Sequence, residues 1–129
     1  MDIVPGNGVG PIKFGMAVDD VKRILGEPDH LPGRSLSYSR LGLAVVPSGP
    51  DGTVVAVFMG GSGGLADRFT GRTKEGVKLK STRQEVVTGY GPPEYAVTDA
   101  DGTEHLKYDS RKLEFTLRDG KVFWMAAKR

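Results

Sequence analysis

Residues 12–28, IKFGMAVDDVKRILGEP, decide the fold because their pattern returns later in the chain. Residues 77–93 read VKLKSTRQEVVTGYGPP, and both segments pass from a short alternating stretch into an apolar-periodic run that ends in Gly-x-Pro. The two segments match at a valine, a glycine and a proline: Val21 with Val86, Gly26 with Gly91, and Pro28 with Pro93. Internal repetition of this kind indicates two copies of one structural unit.

Two further segments recur after each copy. LSYSRLGLAVV, from Leu36, is answered by LKYDSRKLEFTL, from Leu106, and DGTVVAVFM, from Asp51, by DGKVFWMAA, from Asp119. We therefore predict an α+β fold in a single domain, residues 1–129, made of two tandem repeats. Each repeat is a short strand, one helix and a three-strand antiparallel meander, with the helices on one face of the sheet. Repeat one covers 9–59, a Gly-rich joint covers 60–71, and repeat two covers 72–129.

Each copy of the opening segment predicts one helix. The first runs over about residues 16–25, with its apolar residues at helical spacing, and stops at Gly26. The second begins with a capping box of Ser81 and Gln84 and stops at Gly91. Both stops are followed by proline, which does not continue a helix.

Composition excludes several classes of function. The chain has 129 residues, no cysteine and a formal net charge of +2. Disulfides, thiolate metal sites and cysteine nucleophiles are therefore excluded, and the weak basic bias predicts no nucleic-acid partner. No apolar run reaches the roughly 18 residues that span a bilayer, so no membrane span is predicted. The compartment stays open between the cytoplasm and, if a signal segment was removed, the envelope or the exterior.

No motif in the chain carries catalysis or a cofactor. The GNGVG run at residues 6–10 precedes a strand-like stretch, whereas a dinucleotide loop follows one. The Asp-rich residues 99–102 fail as a calcium loop because Tyr108 stands where a bidentate glutamate belongs. His30 and His105 lack nucleophile or metal-ligand spacing and are predicted to be solvated surface side chains. We predict a protein that is not an enzyme and has no cofactor.

The Asp-Gly pair at residues 119–120 predicts a type I′ hairpin. Strict alternation then sets three cross-strand pairs: Leu117 with Val122, Phe115 with Trp124, and Leu113 with Ala126. The predicted core face comprises these six with Leu106 and Tyr108 and, in the first copy, Leu36, Tyr38, Leu43, Val45, Val54, Ala56 and Phe58.

A helix covers one face of a sheet, so the opposite face should be polar, yet here it is predicted to be partly apolar. Its predicted apolar residues are Phe123, Met125, Val55, Val57 and Met59, and its polar neighbours are His105, Lys107 and Glu114. Exposed apolar area of this size marks an interaction site. We predict a non-enzymatic protein-binding or scaffold domain that uses this face.

Two other interpretations stay open at this point. In the first, the apolar face is buried by residues 65–69 or by a second subunit in a homodimer. In the second, the chain is a small-ligand-binding protein or weak enzyme that uses a cleft between the repeats near Arg72, Asp99 and Asp101.

The motif G-M-x-x-x-x-V-x-x-x-L-G-x-P is carried by Gly15, Met16, Val21, Leu25, Gly26 and Pro28. With the element order of each repeat, it resembles the tandem-repeat domains of the β-lactamase inhibitor protein type. More loosely, it is similar to the small lipoprotein of the outer-membrane barrel-assembly machinery. The resemblance implies a free, often concave sheet face that grips a protein, no catalysis, no cofactor, and an envelope location in many bacterial members. The chain departs from these families in having no cysteine, which leaves anchoring and the partner open.

Overall fold

The computed structural model describes residues 1–29, 35–49, 52–61 and 68–129. The first part of the chain contains β1 (Asp2–Val4), β2 (Gly8–Val9), β3 (Ile12–Lys13), α1 (Val18–Leu25), β4 (Leu36–Tyr38), β5 (Leu43–Pro47) and β6 (Val54–Gly60). The second part contains β7 (Arg72–Thr73), α2 (Arg83–Tyr90), β8 (Tyr95–Thr98), β9 (Glu104–Tyr108), a 3₁₀ turn (Asp109–Arg111), β10 (Leu113–Arg118) and β11 (Lys121–Lys128).

The strands described form two sheets. The larger is antiparallel and seven-stranded, in the order β4-β5-β6-β11-β10-β9-β8. The smaller is mixed and four-stranded, in the order β3-β2-β1-β7, with β1 parallel to β7. The α+β class is therefore confirmed. The predicted three-strand meander of repeat two is wrong by one strand, because β8 adds a fourth strand at the edge of the large sheet. The smaller sheet is a further feature that the sequence did not predict.

The two helices occur close to their predicted positions, but the start of α2 differs by one residue. Thr82, not Ser81, is the N-cap: its Oγ1 accepts from the backbone N–H of Glu85 at 3.2 Å. The Glu85 carboxylate in turn accepts from the Thr82 N–H at 3.1 Å, completing the capping box. The Ser81 hydroxyl instead accepts from the Lys78 N–H at 3.0 Å, so it fixes the turn before the helix. The N-cap of α1 is Ala17, whose side chain forms no capping hydrogen bond.

A tyrosine from the large sheet holds the end of each helix. The Tyr38 hydroxyl donates to the carbonyl of Gly26 at 2.9 Å, and the Tyr108 hydroxyl donates to that of Gly91 at 2.8 Å. These bonds occupy carbonyls at the helix ends that have no partner within the helix. Both tyrosines lie on the core face of the sheet, and Val21 and Val86 of the helices are buried in the same core. Both helices therefore cover one face of the large sheet.

The segment before each helix also forms backbone hydrogen bonds with a strand of the large sheet: β6 for α1 and β11 for α2. Val54 exchanges two backbone hydrogen bonds with residues 15–16, each 2.9 Å long. Val122 exchanges two with residues 80–81, at 2.7 and 2.8 Å. The turn residues Gly15 and Lys80 both have positive φ, 90° and 75°. These contacts tie each helix to its own hairpin.

A β-bulge in each hairpin changes the predicted register. In β10–β11, Leu117 pairs with Val122 as predicted, but Thr116 pairs with Trp124, which leaves Phe123 as an extra residue. In β5–β6 the pairing moves from Pro47–Val54 to Val46–Ala56 and leaves Val55 extra in the same way. Because side chains alternate along a strand, one extra residue moves every later side chain to the other face.

The faces assigned to the last part of β6 and β11 are therefore wrong. Phe115 pairs with Met125 and Leu113 with Ala127, one residue later than predicted. One continuous row crosses six strands of the core face: Leu106, Phe115, Met125, Met59, Leu43 and Tyr38. Met125, Met59 and Val57 are buried in the core rather than on the opposite face, whereas Trp124, Ala126, Ala56 and Phe58 lie on that opposite face.

Candidate protein-binding face

We call the face of the large sheet opposite the helices the open face. One row across it contains Val97, His105, Thr116, Trp124 and Gly60. The next row contains Tyr95, Lys107, Glu114, Ala126, Phe58, Ala44 and Ser37. Of the predicted site residues, His105, Lys107 and Glu114 lie on this face, Phe123 lies beside it in the bulge, and half-buried Val55 lies in the other bulge.

Two aromatic side chains form the apolar centre of the open face. The rings of Phe58 and Trp124 lie 5.2 Å apart between centroids, tilted by 49°, and both side chains are half-buried. Phe58 has an alanine opposite it on each neighbouring strand, Ala44 and Ala126, and these small side chains leave room for its ring. Aromatic pairs at such distances are a common anchor in protein interfaces.

The bulge sets the position of Phe123. Its ring is half-buried, and the Arg118 guanidinium lies 4.2 Å from the ring centroid. This is the geometry of a cation–π contact. Phe123 and Gly61 together form the rim between two grooves, one on the open face and one beside it. The bulge therefore gives the face a third aromatic side chain.

The charged residues of the open face are arranged around Glu114. Its side chain is 12% exposed, and its Oε1 lies 3.9 Å from Lys107 Nζ and 4.0 Å from Lys128 Nζ. Both distances are at the long end for ion pairs, and both lysines are substantially exposed, so each pair contributes little to stability. The two ion pairs with Glu114 place the cations of Lys107 and Lys128 beside the aromatic centre.

His105 is held on both ring nitrogens, unlike the solvated surface histidine that the sequence predicts. Nε2 lies 2.8 Å from Asp99 Oδ2, and Nδ1 lies 3.0 Å from Thr116 Oγ1. Because a carboxylate only accepts, Nε2 carries the proton, and in the neutral ring Nδ1 accepts from the Thr116 hydroxyl. His30 lies outside the described residues.

A groove of about 440 Å³ runs beside these side chains. Its lining includes Gly60, His105, Glu114, Thr116 and Trp124. Three predicted site residues, His105, Glu114 and Phe123, thus line one groove with Trp124, which strict alternation predicts to lie in the core. The apolar run VVAVFM in β6 shows no alternation that could have revealed the change of face at Val55.

The residues of the predicted inter-repeat cleft lie in separate parts of the fold. Arg72 belongs to β7 of the smaller sheet, whereas Asp99 and Asp101 lie in the turn between the edge strand β8 and β9. Asp101 Oδ1 accepts from the Thr103 N–H at 3.0 Å, and this bond lowers the pKa of the Asp101 carboxyl. Asp101 thus has a turn-stabilising role.

The described residues contain no group of three or more His, Asp or Glu side chains placed to hold a metal ion. Nor does any helix among them have the length and apolarity needed to cross a bilayer.

No protein-family model and no curated protein matches the chain. Among solved structures, it is similar to a DUF4309 family protein, YjgB, from Bacillus subtilis subsp. subtilis str. 168, with a TM-score of 0.62. The match covers 95% of this chain and 87% of that one, at 18% sequence identity. At this identity the likeness shows the fold alone, shared with a bacterial protein whose family designation assigns no function.

Proposed function

We propose that this chain is a non-enzymatic protein-binding or scaffold domain that contacts its partner through the open face. The observation that carries the proposal is the aromatic centre formed by Phe58 and Trp124, extended by Phe123. Interfaces concentrate their binding energy in a few such side chains surrounded by polar residues. His105, Lys107 and Glu114 would supply that polar surround.

We also infer that the chain consists of two copies of one unit. The equivalent Tyr–Gly bonds at the helix ends, the equivalent exchanges at Val54 and Val122, and the equivalent bulges support this inference. Under the resemblance to β-lactamase inhibitor protein-type domains, the sheet face opposite the helices grips the partner. The open face has that position in this chain.

The test is capture from a lysate of the source organism, followed by calorimetry with each purified captured protein. Three forms are compared: wild type, Phe58→Ala/Trp124→Ala, and a control, Val4→Ala/Ile24→Ala. The control residues are 43% and 44% exposed and lie away from the open face. Loss of two anchor side chains should weaken binding about a hundredfold, and the control should bind like wild type.

The result is interpreted only for variants that keep a cooperative urea transition and are folded under the binding conditions. If the alanine pair unfolds, Phe123→Glu provides the same test at a half-buried position. Equal affinity of all folded forms would reject the open face as the contact surface. Light scattering gives a further outcome. If wild type is a dimer and the Phe58→Ala/Trp124→Ala variant is a monomer, the open face serves self-association rather than binding of a different protein.

A second candidate is a small-ligand-binding protein or weak enzyme, favoured by the Asp99–His105–Thr116 hydrogen-bonded chain beside the 440 Å³ groove. Catalysis at Thr116 would need donors for a developing negative charge. The N–H groups of the nearby Gly60 and Gly61 already donate to the carbonyls of Gly42 and Phe123. A thermal-shift screen of sugars, nucleotides and metals separates the candidates, because a ligand at 100 times its Kd adds about 2.7 kcal/mol.

A further inference from the structure

A second groove lies on the other side of Phe123, between the β10–β11 turn and the segment that precedes α2. It measures about 370 Å³. Leu79, Val122 and Phe123 form its apolar part, and Lys80, Arg118 and Lys121 form its charged part. We call it the basic groove. It combines an apolar floor with three cations, and none of the described residues that line it is a carboxylate.

The charge available to a ligand in the basic groove is that of Arg118 and Lys121. Arg118 and Lys121 form no ion pair with any residue in the described part of the chain. The open face differs, because Lys107 and Lys128 there share the Glu114 carboxylate. A concave surface lined by one sign of charge attracts ligands of the opposite sign.

Strand pairing adds an independent argument. Arg118 and Lys121 are directly opposite each other at the end of the β10–β11 ladder, next to the Asp119–Gly120 turn. Like charges in this position destabilise a hairpin, whereas an anion between them would remove the repulsion. The cation–π contact with Phe123 also holds the Arg118 guanidinium at the groove. The pair is thus placed to share one carboxylate.

We infer that the basic groove binds an acidic segment of the partner protein. A carboxylate would lie between Arg118 and Lys121, and a neighbouring apolar side chain would pack on Leu79 and Phe123. The inference rests on the proposed function, because Gly61 and Phe123 line both this groove and the groove of the open face. One partner could therefore occupy both grooves.

The test uses a blocked pentapeptide, EELEE, with KKLKK as its charge-reversed control. Titration of the isotope-labelled protein is followed by its amide NMR signals. EELEE should shift the amides of Gly61, Lys121 and Phe123 at millimolar concentration, and about 300 mM salt should weaken the effect. KKLKK should leave these signals in place. Absence of saturable shifts at these amides, or equal shifts with both peptides, would overturn the inference.

Variants make the test specific to the groove. Arg118→Glu/Lys121→Glu should weaken EELEE binding at least about tenfold. Lys74→Glu/Lys112→Glu changes the net charge equally at two exposed positions outside the groove and should bind like wild type. Equal weakening by both variants would reduce the effect to net charge and overturn the groove assignment.

Failure of this inference is distinguishable from failure of the proposed function. A partner that is lost with Phe58→Ala/Trp124→Ala but retained at full affinity by the Arg118/Lys121 variant supports the open face and overturns the groove. The opposite result supports the groove alone. In that case EELEE binding depends on Arg118 and Lys121, but the partner binds Phe58→Ala/Trp124→Ala as tightly as wild type.

Discussion

The hairpins β5–β6 and β10–β11 are built alike toward the core and differ on the open face. Each has a bulge close to its turn, after Pro47–Val54 in the first and after Leu117–Val122 in the second, and each bonds to the segment before a helix. On the open face, however, the first presents Ala44 and Phe58, whereas the second presents Glu114, Thr116 and Trp124. The shared features stabilise the fold, and the open face is the surface on which the two hairpins differ.

The two helices differ in a similar way. α2 begins with a full capping box, whereas α1 begins at Ala17, whose backbone has nearly the same extended conformation but whose side chain cannot accept a hydrogen bond. α1 instead has two acidic residues in its first turn, which the helix dipole favours. The same local geometry is thus stabilised by different interactions in the two halves.

The largest loss of stability is expected when a charge is placed on the core side of β11, and a much smaller loss when it is placed at the bulge. Met125→Glu buries an unpaired carboxylate at a position only 1% exposed and should cost more than about 4 kcal/mol of unfolding free energy. Phe123→Glu, at the half-buried bulge, should cost about 1 kcal/mol. Urea denaturation followed by circular dichroism measures both. Equal losses would mean that the bulge is not at Phe123.

The next largest effect concerns the tyrosines that hold the helix ends. Tyr38→Phe and Tyr108→Phe each remove one hydroxyl and leave a helix-terminal carbonyl without its donor, which should cost about 1–2 kcal/mol. The two losses should be similar, and additive in the double variant if the halves are independent. Urea unfolding of the two single variants and the double variant decides this. A large difference between the single losses would show that the two contacts are not equivalent.

Changes at the helix N-caps should alter the free energy of unfolding by about 1 kcal/mol. Thr82→Ala removes the N-cap acceptor of α2 and should destabilise by about that amount. Ala17→Thr supplies the missing acceptor to α1, with Asp20 at the third helical position, and should stabilise by up to about 1 kcal/mol. Thermal unfolding of both variants tests the prediction. A destabilising Ala17→Thr would show that α1 has no room for this cap.

A smaller effect is expected at alkaline pH. Burial raises the pKa of the Tyr38 and Tyr108 hydroxyls above the ordinary value of about 10. The folded chain then binds these protons more tightly than the unfolded chain does. Their contribution is complete below about pH 10 and is lost as pH rises through the raised folded pKa. Urea midpoints measured upward from pH 9 should fall more steeply for wild type than for the double phenylalanine variant; parallel curves would contradict this.

The smallest effect concerns the ion pairs of the open face. Lys107→Gln should change the free energy of unfolding by less than about 0.5 kcal/mol, because Lys107 is exposed and 3.9 Å from Glu114. The same substitution should matter more for partner binding than for folding. A stability loss above about 1 kcal/mol would mean that Glu114 depends on this cation.

The sequence predicted what short-range rules control. Glycine stops, helical periodicity and the Asp-Gly turn led to both helices and to the Leu117–Val122 pair. The face of Met125 could not be obtained in this way, because VFWMAA has apolar side chains at every position and fits either register. The position of a bulge depends on packing between strands, and the apolar–polar pattern along a single strand does not reveal it.

The site could be predicted only where alternation is clear. His105, Lys107 and Glu114 lie on strands with regular polar positions and were assigned to the open face correctly. Trp124 and Phe58 were assigned to the core because the register shift precedes both. The bonds of His105 to Asp99 and Thr116 join three separate positions of the chain, and no local pattern signals them.

The ladder between β6 and β11 has a consequence for folding kinetics. It pairs residues 64 to 72 positions apart, whereas the hairpins on either side of it are local. Each half can collapse early, and joining the halves must wait for the closure of a long loop of chain. Until then, two strands rich in apolar residues have unpaired edges, so aggregation during refolding competes with this step. Because Trp124 lies in this ladder, its fluorescence in stopped-flow refolding should change with the last and slowest phase.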